Sequence, residues 1–110
     1  MSSSEIVIIL TTAPDAGRAE SWARTLVEER LAACVNVHGP MASFYRWKGA
    51  VERDEERQVV IKTTRDRVPA LQSRLAELHP YELPEFLVLS ADGGSDAYLQ
   101  WVAGSTSGSS

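Results

Sequence analysis

Hydrophobic and polar positions follow two different periods along this chain, and the periods separate strands from helices. The continuous, largely β-branched run Ile6–Leu10 is typical of a strand covered on both faces. Apolar residues then recur at steps of three and four, the spacing of one helix face; they are Ala19, Trp22, Ala23, Leu26, Val27 and Leu31. Asp15, which follows Pro14, suits the N-cap of this helix because its carboxylate can accept from free amides.

The middle of the chain predicts two long strands joined by a tight turn. Ala33–Val37 and Met41–Trp47 have strand composition, and Gly39-Pro40 between them indicates a bulge or bend. Lys48-Gly49 suits a two-residue turn. The return strand is predicted over roughly Glu55–Thr64.

The last third of the chain predicts a helix, a strand and a short terminal helix. Asp66 is the expected cap of the first of these helices, and Pro69 is tolerated in its first turn. Its apolar stripe is Val68, Leu71, Leu75 and Leu78. His79-Pro80 ends it, because a residue before proline is pushed out of the helical region. A strand follows at Glu85–Ser90 and a helix at Ala97–Ala103.

This order, β-α-β-β-α-β plus a terminal helix, predicts an α+β fold. Two helices on one face of a four-stranded antiparallel sheet form a ferredoxin-like sandwich. We expect a single domain over residues 1–110 with an ordered core of about 5–103. The serine- and glycine-rich ends, 1–4 and 104–110, are expected to be flexible.

The predicted hairpin is too long for a domain of this size. A 110-residue domain has a radius of gyration of roughly 13 Å and is about 34 Å across, whereas the 15 residues from Ala33 to Trp47 extend about 50 Å. The projecting half is apolar: it carries Met41, Phe44, Tyr45 and Trp47. Soluble monomers avoid such patches beside open strand edges, so we expect further copies of the chain to cover it. A ligand pocket at Tyr45 and Trp47 is the alternative.

Composition and charge limit the classes of molecule that this chain is expected to bind. The chain is 44% hydrophobic and 24% charged, as folded soluble domains are. Its net charge of −4 and the absence of a basic cluster argue against nucleic-acid binding. No window approaches the length of a membrane span. Residues 1–5 carry no basic residue ahead of the short apolar run, so we expect no signal peptide and a cytoplasmic location.

Five segments, in this order, resemble the CutA divalent-cation tolerance family over about residues 6–103; they are Thr12–Asp15, Leu31–Val35, Tyr45–Gly49, Lys62–Thr64 and His79–Glu85. The resemblance implies a ferredoxin-like homotrimer held together through the long hairpins. It also implies a cytoplasmic, metal-responsive protein involved in tolerance of copper and other divalent metals, without a settled catalytic activity. Because the fold is also similar to that of the PII signalling proteins, a signalling module that binds a small anionic metabolite between subunits is the alternative.

His79 is the main candidate metal ligand, because neutral imidazole binds Cu²⁺ and Zn²⁺ well. Glu82 and Glu85 follow within six residues and offer carboxylate oxygens, while Tyr81 is expected to pack or to line a pocket. At a helix end before Pro80, the His79 side chain is expected to contribute little packing.

The resemblance also implies that any metal is bound weakly. Family members with reported copper ligands carry a cysteine at the position of Thr11 and a histidine at the position of Leu78. Of that set, this chain keeps His79 alone. We therefore expect weak binding of Cu²⁺ or another divalent cation.

Cys34, the single cysteine, forms no disulfide within the chain, and it supports a second metal hypothesis. Strand alternation places Cys34, Asn36 and His38 on one face, where a thiolate and an imidazole suit Cu(I). The alternative interpretation is a small buried cysteine and a histidine bonded to backbone at the bulge.

Lys62 lies in a predicted central strand, where a charge needs a partner. We expect an ion pair with Glu82 or Glu85; an anion contact in a cleft between subunits is the alternative.

The chain has no phosphate loop, nucleophile elbow or zinc-protease motif. A non-enzymatic function is expected, against the alternative of acid/base chemistry at Glu82 or Glu85.

Overall fold

Four strands and three α-helices follow one another along residues 5–107, the part of the chain described by this computed structural model. Their bounds are β1 Ile6–Ala13, α1 Ala16–Glu28, β2 Cys34–Trp47, β3 Ala50–Thr64, α2 Val68–Leu78, β4 Leu87–Ser90 and α3 Asp96–Thr106. The strands form one antiparallel sheet in the order β2-β3-β1-β4. The predicted ferredoxin-like α+β fold is confirmed.

The core lies between one face of this sheet and helices α1 and α2. Odd-numbered residues of β1 and β3 point into it, because strand side chains alternate between faces. The buried set is Val7, Ile9, Ala13, Ala19, Trp22, Leu26, Ala32, Val59, Ile61, Leu71 and Leu75. These are the apolar positions that the helical stripes and the Ile6–Leu10 run predict.

Helix α1 begins as predicted and ends earlier. The Asp15 carboxylate caps it by accepting from the Arg18 amide at 2.8 Å. The helix ends at Glu28, and Arg30 has a left-handed backbone with a φ of 61°. Leu31 therefore lies beyond the helix, although its side chain still packs against the core.

The predicted cap of α2 is wrong. A 3₁₀ turn, Arg65–Arg67, precedes this helix, and Arg67 occupies its N-cap without a side-chain hydrogen bond. The Asp66 carboxylate instead accepts from the Thr64 hydroxyl at 2.5 Å. Proline in the first turn and the end at His79 are as predicted.

Helix α3 extends three residues beyond Ala103, so the prediction of a flexible end from residue 104 is wrong as far as Thr106. Thr106 is buried, its hydroxyl donates to the Val102 carbonyl at 3.0 Å, and its own carbonyl accepts from Arg67 Nε at 2.7 Å. These bonds stabilise a Gly-Ser-Thr segment of poor helix propensity. Residues 1–4 and 108–110, also predicted to be flexible, lie outside the described part.

The long hairpin projects from the sheet. β2 and β3 stay paired to Trp47 and Ala50, and the long axis of the described chain is 44 Å. Lys48 and Gly49 form the turn with positive φ values of 51° and 85°, as a two-residue hairpin turn requires. The register shifts between His38 and Met41, at the predicted bulge.

The sheet face opposite α1 and α2 is largely open. Helix α3 covers one end of it, where Val102 packs on Ile6 and Ala33. Beyond that end, among residues 5–107, the face presents partly or largely exposed apolar side chains; they are Ile8, Leu10, Val60, Leu87 and Leu89.

Candidate functional site

A cleft of about 910 Å³ opens between the distal half of the hairpin and the loop 79–86, and we call it the hairpin cleft. Its walls carry the aromatic side chains of Phe44, Tyr45, Trp47 and Tyr81. Its polar lining is dominated by four carboxylates, Asp54, Glu56, Glu82 and Glu85. Arg46 is the single lysine or arginine that lines it among the described residues. A cleft of this charge favours cations over anions.

Two tyrosine–carboxylate hydrogen bonds organise the hairpin cleft. The Tyr81 hydroxyl donates to Glu56 Oε2 at 2.8 Å, and the Tyr45 hydroxyl donates to Asp54. The Asp54 carboxylate raises the pKa of Tyr45 to about 12, while burial and then Glu56 raise the pKa of Tyr81 above its ordinary value. Both phenols therefore stay protonated donors at neutral pH.

His79 lies beside the hairpin cleft, packed between two aromatic rings. Its side chain is nine-tenths buried, and its ring centroid is 4.7 Å from that of Trp22 and 4.6 Å from that of Tyr81. The expectation that a histidine at this helix end contributes little packing is wrong. It fails because the loop after Pro80 turns back and lays Tyr81 against the imidazole.

Both ring nitrogens of His79 have hydrogen-bond partners. Nε2 lies 2.8 Å from the carbonyl of Thr12 and must donate, whereas Nδ1 accepts from the Tyr81 amide at 3.2 Å. The ring is therefore the neutral tautomer with its proton on Nε2. Burial lowers its pKa below the ordinary value, although the Thr12 carbonyl and Glu56 act in the opposite direction.

A second, smaller cavity of about 200 Å³ connects His79 with Thr11 and Glu85. The hydroxyl of Thr11 is buried, and no group in residues 5–107 forms a hydrogen bond with it. The fold thus brings together two of the predicted metal ligands, His79 and Glu85. Glu82 lines only the hairpin cleft. Within residues 5–107, no three His, Cys, Asp or Glu side chains are close enough to hold a metal ion.

Lys62 and Cys34 lie elsewhere, opposite each other on β3 and β2. The predicted ion pair of Lys62 with Glu82 or Glu85 is wrong: its ammonium donates to Asn36 Oδ1 at 2.9 Å. It reaches this amide because both side chains extend from the open face of the sheet. Cys34 Sγ lies 3.8 Å from the same oxygen. A cation bound by Cys34 would therefore have an ammonium group beside it.

Strand β3 contains six consecutive charged residues, 52–57, and two of them line the hairpin cleft although the sequence analysis does not single them out. Alternation on β3 directs Asp54 and Glu56 into the hairpin cleft and Glu55 to the opposite side. Gln58 connects the two walls, since its amide donates to the Thr11 carbonyl at 2.7 Å and lies 3.4 Å from Glu85. Period-two alternation within the run was the available signal.

The comparisons with known proteins agree with this fold. The family model described as "CutA1 divalent ion tolerance protein" matches residues 7–105. A divalent-cation tolerance protein CutA from Thermus thermophilus is 42% identical over 90% of this chain and 96% of its own length. One from Pectobacterium atrosepticum is 43% identical over 89% of each chain. The crystal structure of CutA from Xylella fastidiosa has a TM-score of 0.90 at 41% identity, covering 93% of this chain and 98% of its own.

The protein is a small ferredoxin-like domain with a projecting hairpin, and the hairpin cleft is lined by acidic and aromatic side chains. The chain belongs to the CutA1 family of divalent ion tolerance proteins. This membership supports a role in divalent-cation tolerance. In the described part of the chain, no helix is long and apolar enough to cross a membrane.

Proposed function

We propose that this protein is a non-catalytic homotrimer of the cytoplasm that takes part in divalent-cation tolerance by binding Cu²⁺, or another divalent cation, weakly through His79. The observation that carries the proposal is the hydrogen bonding of the His79 ring. A histidine that ligates a metal commonly donates its other ring N–H to a carbonyl, which fixes the tautomer and the orientation. The Nε2–H bond to the Thr12 carbonyl does this here and leaves the lone pair on Nδ1.

The same geometry accounts for weak binding. At Nδ1 a metal would replace the hydrogen bond from the Tyr81 amide, which at 3.2 Å is long. Of the two predicted carboxylate ligands, Glu85 lines the same small cavity as His79, whereas Glu82 lines only the hairpin cleft. The Thr11 hydroxyl is a poor ligand for Cu²⁺ compared with a thiolate. One imidazole and one or two carboxylates make a modest ligand set.

Assembly as a trimer is supported by surfaces that a single chain leaves uncovered. Phe44 is 68% exposed and Tyr45 41% exposed on the projecting hairpin. The open sheet face adds apolar side chains of β1 and β4, among them Leu87 and Leu89. Exposed apolar side chains grouped in this way are typical of surfaces that bind another protein chain. Trp47 lies on the same strand and is only half-buried within the chain, so we expect it to take part in the contact as well.

Copper titration by calorimetry tests the metal site. His79→Gln keeps an N–H donor for Thr12 and removes the Nδ1 ligand, so it should lose most of the Cu²⁺ binding while the fold is retained. His38→Gln, in which the exposed second histidine is replaced, is the matched control and should bind like wild type. Cys34→Ser should also bind like wild type.

The pH dependence gives a further measure of the same site. Coordination needs an unprotonated imidazole, and burial lowers the pKa of His79, so binding should weaken only below the ordinary histidine range of about pH 6.5. Cu²⁺ should bind more tightly than Zn²⁺ or Mn²⁺. Equal copper binding by wild type and His79→Gln would refute the assignment.

A further inference from the structure

Tyr81 is held at both ends by hydrogen bonds to different parts of the chain. Its amide donates to His79 Nδ1 at 3.2 Å, and its hydroxyl donates to Glu56 Oε2 at 2.8 Å. Its ring also packs on the imidazole, with 4.6 Å between the two centroids. Glu56 belongs to β3, so Tyr81 connects the proposed metal ligand to the hairpin. These contacts lie within one chain and do not depend on how subunits meet.

The loop that carries Tyr81 has weak attachments elsewhere. In residues 5–107, no backbone-to-backbone hydrogen bond of a turn or loop involves residues 80–85. A side-chain bond joins Gln58 to Glu85, but at 3.4 Å it is long. Leu83, in the middle of the loop, is 71% exposed. The position of the loop therefore depends largely on the two hydrogen bonds of Tyr81, and loops held in this way open at low cost.

Coordination of a metal at His79 Nδ1 and the amide bond of Tyr81 exclude each other. A bond from imidazole to zinc is about 2.0–2.1 Å long, so an ion on the Nδ1 lone pair would lie only about 1 Å from the Tyr81 amide nitrogen. Because an N–H group cannot coordinate a metal, the backbone at Tyr81 has to withdraw by more than about 1 Å. The hydroxyl bond to Glu56 is 2.8 Å long and tolerates a stretch only to about 3.0 Å, so this shift breaks it.

We infer, on the basis of the proposed function, that Tyr81 inhibits metal binding and that a bound metal releases Tyr81 from Glu56. Both carboxylate candidates, Glu82 and Glu85, follow Tyr81 on the same loop, so its release lets them approach the imidazole. With the loop attached, no three His, Cys, Asp or Glu side chains of residues 5–107 are grouped for a metal ion. Because coupling between two equilibria is reciprocal, weakening the Tyr81–Glu56 bond must strengthen metal binding.

Calorimetric titration of Tyr81→Phe with Cu²⁺ tests this inhibition. Phenylalanine keeps the amide and the ring but cannot donate to Glu56. Cu²⁺ should therefore bind about tenfold more tightly than in wild type, which corresponds to the net value of a hydrogen bond to a carboxylate. A merely structural role of the hydroxyl would not tighten binding. Tyr45→Phe is the matched control, because it removes the tyrosine hydrogen bond to Asp54, which does not involve His79; it should bind Cu²⁺ like wild type.

Hydrogen exchange of wild type gives a second measure, and it decides the question even if Tyr81→Phe does not fold. A bound ligand ordinarily stabilises the folded state and slows the exchange of its amides. Release of Tyr81 should instead raise the exchange of segment 81–86 when Cu²⁺ is added, and His79→Gln should show no such rise. Exchange of this segment that is unchanged or slower with copper bound would overturn the inference.

Failure of this inference and failure of the proposed function give different results. If copper binds through His79 and Tyr81→Phe binds it no more tightly than wild type, the inhibition is refuted and the proposed function stands. If neither wild type nor Tyr81→Phe shows copper binding that His79→Gln removes, both are refuted. Copper binding that is found in Tyr81→Phe alone, and is lost when His79→Gln is added to it, would support the inhibition directly.

Discussion

Acidification should destabilise this protein through His79. The folded state lowers the pKa of this imidazole, mainly by burial, so the unfolded chain binds a proton more readily. Stability contributed by the neutral ring is therefore present above about pH 6.5 and is lost as the pH falls through the lower pKa of the folded state.

The magnitude follows from what protonation does to the ring contacts. A proton on Nδ1 would oppose the Tyr81 amide and remove the 3.2 Å hydrogen bond, and an unsatisfied buried donor costs about 1–3 kcal/mol. Attraction of imidazolium to the rings of Trp22 and Tyr81 returns roughly 0.5–1 kcal/mol. At the midpoints of these two ranges the loss is the larger and leaves about 1 kcal/mol of destabilisation. Each kcal/mol lowers the melting temperature by about 4 °C or more in a domain of this size.

Thermal melts of wild type and His79→Gln at about pH 7.5, 6.5 and 5.5 measure this effect. Apart from residue 79 the two proteins carry the same ionisable groups, so we assign the difference between the two pH profiles to His79. His38→Gln should follow the wild-type profile, because His38 is exposed. If wild type and His79→Gln lost equal stability on acidification, the buried neutral imidazole would be the wrong description.

Two other predictions concern the hairpin. Light scattering should give about three times 12.1 kDa for wild type, and Trp47→Ala should weaken this assembly because losing a buried aromatic side chain costs about 3–5 kcal/mol. Trp101→Ala, which removes an exposed tryptophan of α3, is the control and should leave the assembly unchanged. An unchanged trimer and melting temperature for Trp47→Ala would contradict the proposed contact. Gly39→Ala should lower stability by about 1–3 kcal/mol, because Gly39 has a φ of 148° and an added Cβ would overlap the Arg57 side chain. Chemical denaturation measures this loss, and a stability within error of wild type would refute the steric argument.

The elements of the fold were predictable from sequence where periodicity and local chemistry agree. The α1 stripe, the Asp15 cap and the Lys48-Gly49 turn each depend on neighbours within a few residues. Helix α3 was predicted too short, because its last turn is stabilised by a hydrogen bond from Arg67, which is distant in sequence.

The candidate site was less predictable, because its properties arise from tertiary contacts. The sequence alone identifies His79 as a candidate ligand. It does not show that Trp22 buries the ring or that the Thr12 carbonyl fixes its tautomer. The burial of Glu56 depends on Tyr81, which is 25 residues away. Period-two alternation assigns a carboxylate to one face of β3, yet it cannot show that a loop closes over it.

The long hairpin also bears on the order of folding. Its two strands meet across a two-residue turn, so their contacts are local, whereas pairing Ile6 with Thr64 in the β1–β3 ladder closes a loop of 58 residues. Because loop closure slows pairing, the hairpin should form early, before β1 enters the sheet. At that stage its aromatic side chains are exposed next to open strand edges. The six consecutive charged residues 52–57 then protect the distal strand from wrong pairing.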